Sequence, residues 1–125
     1  MSNKYKKAGL DKLQEIIGES GDKIISTMEM ISPEFARYIV DYAYGDLYQR
    51  NGITDKVREL AAVSNMMGQG VTGLPLKAHI NGMLNVGWTK EEILEVIIFL
   101  TGYNGFPTCV LAIQTAHEVF QEKSI

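Results

Sequence analysis

The sequence has few of the residues that stabilise small proteins through covalent bonds or metals. Its 125 residues include one cysteine, Cys109, so no disulfide can form within the chain. The two histidines, His79 and His117, lie far apart, and a metal site needs at least three converging ligands. We therefore expect no disulfide framework and no metal centre, and the cysteine content does not point to an oxidising compartment.

Long apolar runs and basic clusters are also missing. No stretch of about 18 consecutive apolar residues is present, and the N-terminal MSNKYKKAGL lacks an apolar segment long enough for a secretory signal. The net charge is −3, without the block of positive charge that is typical of nucleic-acid-binding proteins. We expect a cytoplasmic protein that binds neither nucleic acid nor membranes.

No segment shows the strict alternation of apolar and polar residues that is typical of a half-buried strand. With 46% hydrophobic and 22% charged residues, the chain has the balance of a globular protein. Apolar residues recur at helical spacing, first at Leu10, Leu13, Ile16 and Ile17. We predict an all-α fold, a helical bundle of about six to seven helices forming a single domain over residues 1–125, with residues 1–9 flexible.

Local signals mark the start of a helix in the first half of the chain. Ser32 is placed as its N-cap, and Pro33 occupies the first helical position. We expect this helix to run to Arg50, with an interruption at Gly45 as the alternative. Its buried side is predicted to include Phe35, Tyr38, Ile39 and Tyr42. Tyrosines at this spacing usually fill cores or interfaces, so a stacking surface is the less favoured interpretation.

The next predicted helix, residues 55–67, is apolar almost all round and should be buried. Glu59 lies on its apolar side, next to Ala62, Val63 and Met66 at helical spacing. A carboxylate in that position is costly unless it is paired, hydrogen-bonded or protonated. Glu59 is therefore predicted to point inward and to have a partner.

Two helices meet at a defined corner near the middle of the second half. Gly87 is placed as the left-handed residue that ends a helix over residues 74–86. Thr89 and Glu92 have the spacing of a capping box, which starts the next helix, and Pro107 begins the last one. The corner should fix how the second helix leaves the first.

His79 lies on the first of these two helices. It falls among the apolar residues Leu76, Ile80, Met83 and Val86, so it should also point inward. An inward histidine is usually a satisfied core residue. Two inward ionisable groups on successive helices could, however, shift each other's pKa towards the range of a general acid or base. His79 and Glu59 are the candidate catalytic residues, and the sequence leaves open whether they meet.

Two other reactive side chains have weaker claims. Cys109, near the start of the last helix, could be a thiolate nucleophile because the helix dipole lowers a thiol pKa. It has no second cysteine to resolve an oxidised form, so buried packing is the preferred interpretation. His117 lies at the edge of an apolar stripe and is interpreted as structural.

The run from Tyr44 to Phe120 resembles the carboxymuconolactone decarboxylase family. Residues 44–69, YGDLYQRNGITDKVRELAAVSNMMGQ, are similar to its first conserved block, which contains the R-E-L motif. Residues 76–107 are similar to its second block: a histidine, a small-residue helix, N-x-G-x-T, an E-E-I/L-x-E-V helix and Y-x-G-x-P. His79 falls on the family's histidine, and Glu59 falls on the glutamate of R-E-L.

The resemblance implies an all-α fold that assembles into homo-oligomers, commonly trimers or hexamers, with active sites lined by helices at subunit contacts. It implies a decarboxylase of aromatic catabolism, which needs no organic cofactor or metal, removes CO2 from a small carboxylated butenolide and protonates the carbanion. Arg58 and Lys77 are the candidate cations for a dicarboxylate, although both look solvent-facing. A related branch reduces peroxides with a C-x-x-C pair, but Thr72 and Pro75 occupy those positions here.

We therefore expect a lyase with a small-molecule substrate, in which His79 donates or relays a proton and Glu59 orients it in an apolar pocket. A non-catalytic helical oligomer that has retained the fold stays open as another class. It would keep His79 sequestered by backbone partners. Peroxidase chemistry through Cys109 alone is the least favoured alternative.

Overall fold

The computed structural model describes residues 4–125, and this part of the chain contains helices and no strand. The α-helices are α1 (Lys7–Ile16), α2 (Glu19–Ile31), α3 (Pro33–Arg37), α4 (Asp55–Gly68), α5 (Leu74–Asn85), α6 (Lys90–Asn104) and α7 (Phe106–Glu122). The predicted all-α fold is confirmed for these residues. None of their helices combines the length and apolarity that crossing a bilayer requires.

The chain divides into two compact units, residues 1–55 and residues 56–125. The first contains α1, α2, α3 and two short irregular helices. The second contains α5, α6, α7 and nearly all of α4. A single domain spanning residues 1–125 stays a prediction.

In the first unit, α1 begins at Lys7, three residues before the apolar pattern begins. The backbone NH of Lys6 donates to Asp41 at 2.8 Å, which holds the start of the helix. Tyr5 is buried, and its hydroxyl donates to Glu29 at 2.5 Å. Of the residues predicted to be flexible, 1–3 lie outside the described part, whereas 7–9 are helical. Long-range polar contacts of this kind leave no periodic trace in the sequence.

Ser32 caps α3 as predicted, since its hydroxyl accepts from the NH of Phe35 at 3.2 Å. The helix does not continue regularly to Arg50. After Arg37 it widens into a π-helix, Tyr38–Tyr44, which ends at Gly45. A single 3₁₀ turn, Leu47–Gln49, follows. The alternative, an interruption at Gly45, is therefore the one observed.

The predicted buried side of this segment is wrong for its three aromatic residues. Phe35, Tyr38 and Tyr42 are each more than half exposed. The physical reason is the close approach of α1: a Cβ on Gly9 would lie 2.3 Å from the carbonyl oxygen of Val40. The backbones are too close there for large side chains between them. The residues buried on this segment are Ala36, Val40 and Tyr44.

The second unit has its own apolar core, to which α4, α5, α6 and α7 all contribute. Cys109 belongs to this core, in agreement with its interpretation as a packing residue. On α7 the side that faces this core includes Ala112, Ala116 and Val119, whereas Val110 and Ile113 are exposed. The buried core residues are Val63, Met67, Leu76, Ile80, Met83, Ile93, Ile97, Cys109, Ala112, Ala116, Val119 and Phe120.

The corner between α5 and α6 has the predicted local structure. Gly87 adopts φ +107°, a conformation that favours glycine. The hydroxyl of Thr89 accepts from the NH of Glu92, and the Glu92 carboxylate accepts from the NH of Thr89, each at 3.0 Å. Trp88 packs against the core and donates its indole NH to the carbonyl of Lys56 at 2.9 Å. These contacts fix where α5 ends, and therefore the course of the helix that carries His79.

Candidate functional site

Glu59 lies on the buried side of α4. It shares this side with Val63 and Met67, which follow at four-residue spacing and belong to the core of the second unit. Its side chain has no exposed surface, and within residues 4–125 Glu59 is the only charged residue that is buried. The prediction that Glu59 points inward is confirmed. A carboxylate in this position requires polar partners.

His79, in the middle of α5, provides one of these partners. Its Nδ1 lies 2.8 Å from Oε1 of Glu59. The histidine side chain is 16% exposed, whereas Glu59 is fully enclosed. The two candidate residues from successive helices therefore meet, which the sequence left open. The carboxylate lies inside, and the imidazole lies between it and the surface.

This contact determines which ring nitrogen of His79 can act on a ligand. When Glu59 is ionised, it accepts a hydrogen bond from Nδ1–H. Nε2 is then the nitrogen that carries a lone pair in the neutral ring and a proton in the imidazolium. A buried carboxylate behind the ring also fixes the ring's orientation. The pair has the arrangement of a general acid–base group.

Lys77, one of the two candidate cations, is engaged with carboxylates other than Glu59. The ammonium group of Lys77 makes a close ion pair with Glu122 and lies 4.0 Å from Glu118. Lys77 and His79 are two positions apart on a helix, so their side chains point in very different directions. Lys77 is three-quarters buried rather than solvent-facing, and Arg58 is half-buried.

Lys77 instead lines a surface cavity of about 430 Å³ between the start of α5 and α7. Thr72 and Leu74 border it from one side, and Thr115 and Glu118 border it from the other. His79 is not part of its lining. Because two carboxylates already surround the ammonium group, this cavity carries no excess positive charge for an anionic substrate.

The other reactive side chains lie elsewhere. Cys109 is a free, buried thiol in the core, and His117 is exposed on α7. In the described part of the chain, no three residues among His, Cys, Asp and Glu converge as a metal site would require. Within residues 4–125, no hydrogen bond or ion pair joins Cys109 or His117 to the Glu59–His79 pair.

Sequence patterns do not single out Asn104, at the end of α6. Its carboxamide nitrogen is buried and has no hydrogen-bond partner among the described residues. The amide oxygen lies beside Gly68, where a Cβ would be 3.7 Å away. Buried donors are nearly always satisfied, so this amide stands out as a polar group with unused capacity. Its position within the Y-x-G-x-P turn is the only sequence signal that could have drawn attention to it.

Comparison with known proteins identifies the family. The model of the carboxymuconolactone decarboxylase family matches residues 33–118, which include both Glu59 and His79. The chain belongs to the carboxymuconolactone decarboxylase family. The match begins at α3, earlier than the resemblance that starts at Tyr44, and it ends in the last turns of α7.

Relatives of this chain include two proteins that are named as decarboxylases. The chain is 28% identical over 120 residues to 4-carboxymuconolactone decarboxylase of Acinetobacter baylyi, covering 95% of this chain and 89% of that protein. It is 35% identical over 74 residues to nitrosuccinic acid decarboxylase of Metarhizium robertsii, covering 59% and 51% respectively. An uncharacterised 15.0 kDa protein of Paracoccus denitrificans is 28% identical over 97 residues, covering 77% and 72%.

Proposed function

We propose that this protein is a cofactor-independent decarboxylase acting on a small carboxylated lactone or a related acid. The observation that carries the proposal is the contact between Nδ1 of His79 and Oε1 of Glu59 at 2.8 Å. Family membership supports the reaction class, because both named enzymes among the relatives above are decarboxylases of small acids. The site residues of the proposal are His79 and Glu59.

In the proposed reaction the bond between the substrate carbon and its carboxylate breaks, CO2 leaves, and the electron pair stays on carbon. The imidazolium of His79 then donates its Nε2 proton to that carbanion. Solvent water then returns a proton to Nε2 before the next turnover. Proton transfer from a positioned side chain of this kind typically contributes about 10²- to 10⁴-fold to a rate.

Glu59 acts in this scheme through His79. Its carboxylate accepts from Nδ1–H in both protonation states of the ring, which keeps Nε2 directed towards the ligand. Glu59 is therefore a positioning residue rather than a group that touches the substrate.

The non-catalytic alternative is less consistent with this geometry. A scaffold protein with this fold should hold His79 through backbone partners, as a satisfied core residue. The partner of Nδ1 is instead a fully buried carboxylate. Placing a carboxylate there costs desolvation free energy that a purely structural histidine does not require.

The assembly and location that the family resemblance implies are part of the same proposal. We propose a homo-oligomer, a trimer or hexamer, in the cytoplasm, with a small molecule as substrate and no nucleic-acid or membrane partner. The number of subunits is a separate matter from the chemistry, because the Glu59–His79 pair lies within one chain.

A substrate panel tests the proposed reaction. Small carboxylated lactones and dicarboxylic acids are incubated with the protein, and CO2 release and thermal stabilisation are measured. A true substrate should raise the melting temperature of His79→Gln as well as wild type, because binding stabilises the native state. Release of CO2 should be lost in His79→Gln and kept in the control His117→Gln, an exposed histidine. Full turnover by His79→Gln would remove this residue from the reaction.

A further inference from the structure

The chain has two long stretches without Asp, Glu, Lys or Arg, residues 60–76 and the longer residues 96–117. Residues 96–117 contain none of these four residue types, although Asp, Glu, Lys and Arg together make up 22% of the whole sequence. This stretch forms the second half of α6, the turn at Gly105 and most of α7. Only some side chains of this stretch are buried in the core of the second unit, so the others form an uncharged surface.

Seven large apolar side chains from this stretch are exposed, and we call five of them the apolar end face: Phe99, Tyr103, Phe106, Val110 and Ile113. The rings of Phe99 and Tyr103 are in contact, with centroids 5.5 Å apart. Phe106 follows Tyr103 across the turn, and Val110 and Ile113 continue from it at helical spacing along α7. The exposed fractions are 66% for Phe99, 77% for Tyr103, 73% for Phe106, 51% for Val110 and 37% for Ile113.

The size of this face approaches that of a stable protein contact. An aromatic side chain carries roughly 150–250 Å², so the three rings alone offer on the order of 400 Å². That equals the largest apolar patch of a typical monomer, about 300–600 Å². Val110 and Ile113 bring the area closer to the roughly 800 Å² that each partner contributes to a standard interface.

The absence of charge indicates which partner fits. In a two-fold contact each copy presents the same surface, so any charge near the axis would face its own kind. The apolar end face carries no such charge and can meet itself without repulsion. It also carries no Lys or Arg that would favour an anionic membrane surface.

We propose that the apolar end face binds the same face of a second copy of this chain. This inference rests on the homo-oligomer of the proposed function and names the surface of a two-fold contact in it, which a hexamer can contain and a three-fold trimer cannot. The exposed apolar residues of the first unit fit this role less well, because Glu34, Arg37 and Asp41 lie among them.

Molar mass in solution, measured by light scattering across a concentration series, tests the proposal. Wild type should have the mass of two or six chains at micromolar concentrations, because a two-fold contact joins the chains in pairs. A mass of three chains would contradict such a contact. Phe106→Glu should raise the dissociation constant about 30-fold or more, which is the loss typical of a central aromatic residue in an interface. The matched control is Met30→Glu, which places the same charge on an 87% exposed apolar residue of α2 and should leave the mass unchanged.

Val110→Lys provides a second variant on the same face, and circular dichroism shows whether each variant is folded. A folded Phe106→Glu and a folded Val110→Lys that both keep the wild-type mass would overturn the proposal. So would a wild-type protein that stays monomeric, including one that instead binds neutral phosphatidylcholine vesicles. None of these measurements depends on turnover. A failure of the assembly proposal can therefore be distinguished from a failure of the decarboxylase proposal.

Discussion

The imidazole of His79 and the carboxylate of Glu59 form a hydrogen-bonded pair at 2.8 Å, in which Glu59 is fully buried and His79 is partly exposed. The two residues lie on consecutive helices, α4 and α5, and are 20 positions apart. This arrangement leaves Nε2 as the reactive nitrogen. It also makes Glu59 the residue that holds the ring in this orientation.

Replacing Glu59 with Gln should therefore lower the rate of turnover. A neutral amide of nearly the same size is a weaker acceptor for Nδ1–H than a carboxylate and can also turn its NH2 group towards the ring, so Nε2 is held less firmly in place. We expect kcat to fall about 10²-fold or more while KM changes little, because Glu59 does not touch the substrate. A Glu59→Gln variant that keeps the wild-type kcat, or in which only KM rises, would contradict this role.

The close approach of α1 to the π-helix predicts a stability effect at Gly9. A methyl group at this position would lie 2.3 Å from the carbonyl oxygen of Val40, so the backbones must move apart. We expect Gly9→Ala to lower the free energy of unfolding by about 2 kcal/mol or more, as measured by urea denaturation. Gly52→Ala is the control, because nothing lies within 4 Å of its Cβ position. Equal stability of the two variants would contradict the described packing.

The capping box at the start of α6 predicts a smaller effect. Thr89→Ala removes the hydroxyl that accepts from the NH of Glu92, and we expect a loss of about 1 kcal/mol in the free energy of unfolding. In Thr115→Ala the lost hydroxyl donates only to the carbonyl of Leu111 within the same helix, so stability should change little. The prediction fails if both alanine variants have the same thermal stability.

The hydrogen bond between Tyr5 and Glu29 predicts a loss of stability at alkaline pH. Burial, together with the nearby carboxylate of Glu29, raises the pKa of Tyr5 to about 12. The unfolded chain, with an ordinary tyrosine pKa near 10, releases this proton first, so the stabilisation is complete below about pH 10 and is lost as pH rises towards 12. Tyr5→Phe should therefore show a shallower fall in stability over this range in denaturation experiments. An identical pH dependence in Tyr5→Phe would count against the described contact.

Features that depend on residues close in sequence could be predicted. The cap at Ser32, the capping box at Thr89 and the left-handed Gly87 all involve hydrogen bonds or torsions within a few positions. The same applies to the inward direction of Glu59 and His79, which follows from helical spacing alone. Helix caps, turn residues and the direction of side chains on a helix can therefore be predicted from a single sequence.

Features that depend on contacts between helices could not be predicted. α3 and the π-helix carry apolar residues on more than one side. The close contact between Gly9 and Val40 decides which of these sides is buried. The start of α1 at Lys7 depends on Asp41, which is 35 positions from Lys6. The meeting of Glu59 with His79 likewise requires the axial register between α4 and α5, which neither helix encodes alone.

The central claim is that Glu59 and His79 act as one unit in catalysis, and a double-mutant cycle tests it most directly. We would measure kcat/KM for Glu59→Gln, His79→Gln and the double variant, each checked for native circular dichroism. Because Glu59 acts only through His79, the double variant should have the same residual activity as His79→Gln alone. A double variant whose loss is the product of the two single losses would contradict the account.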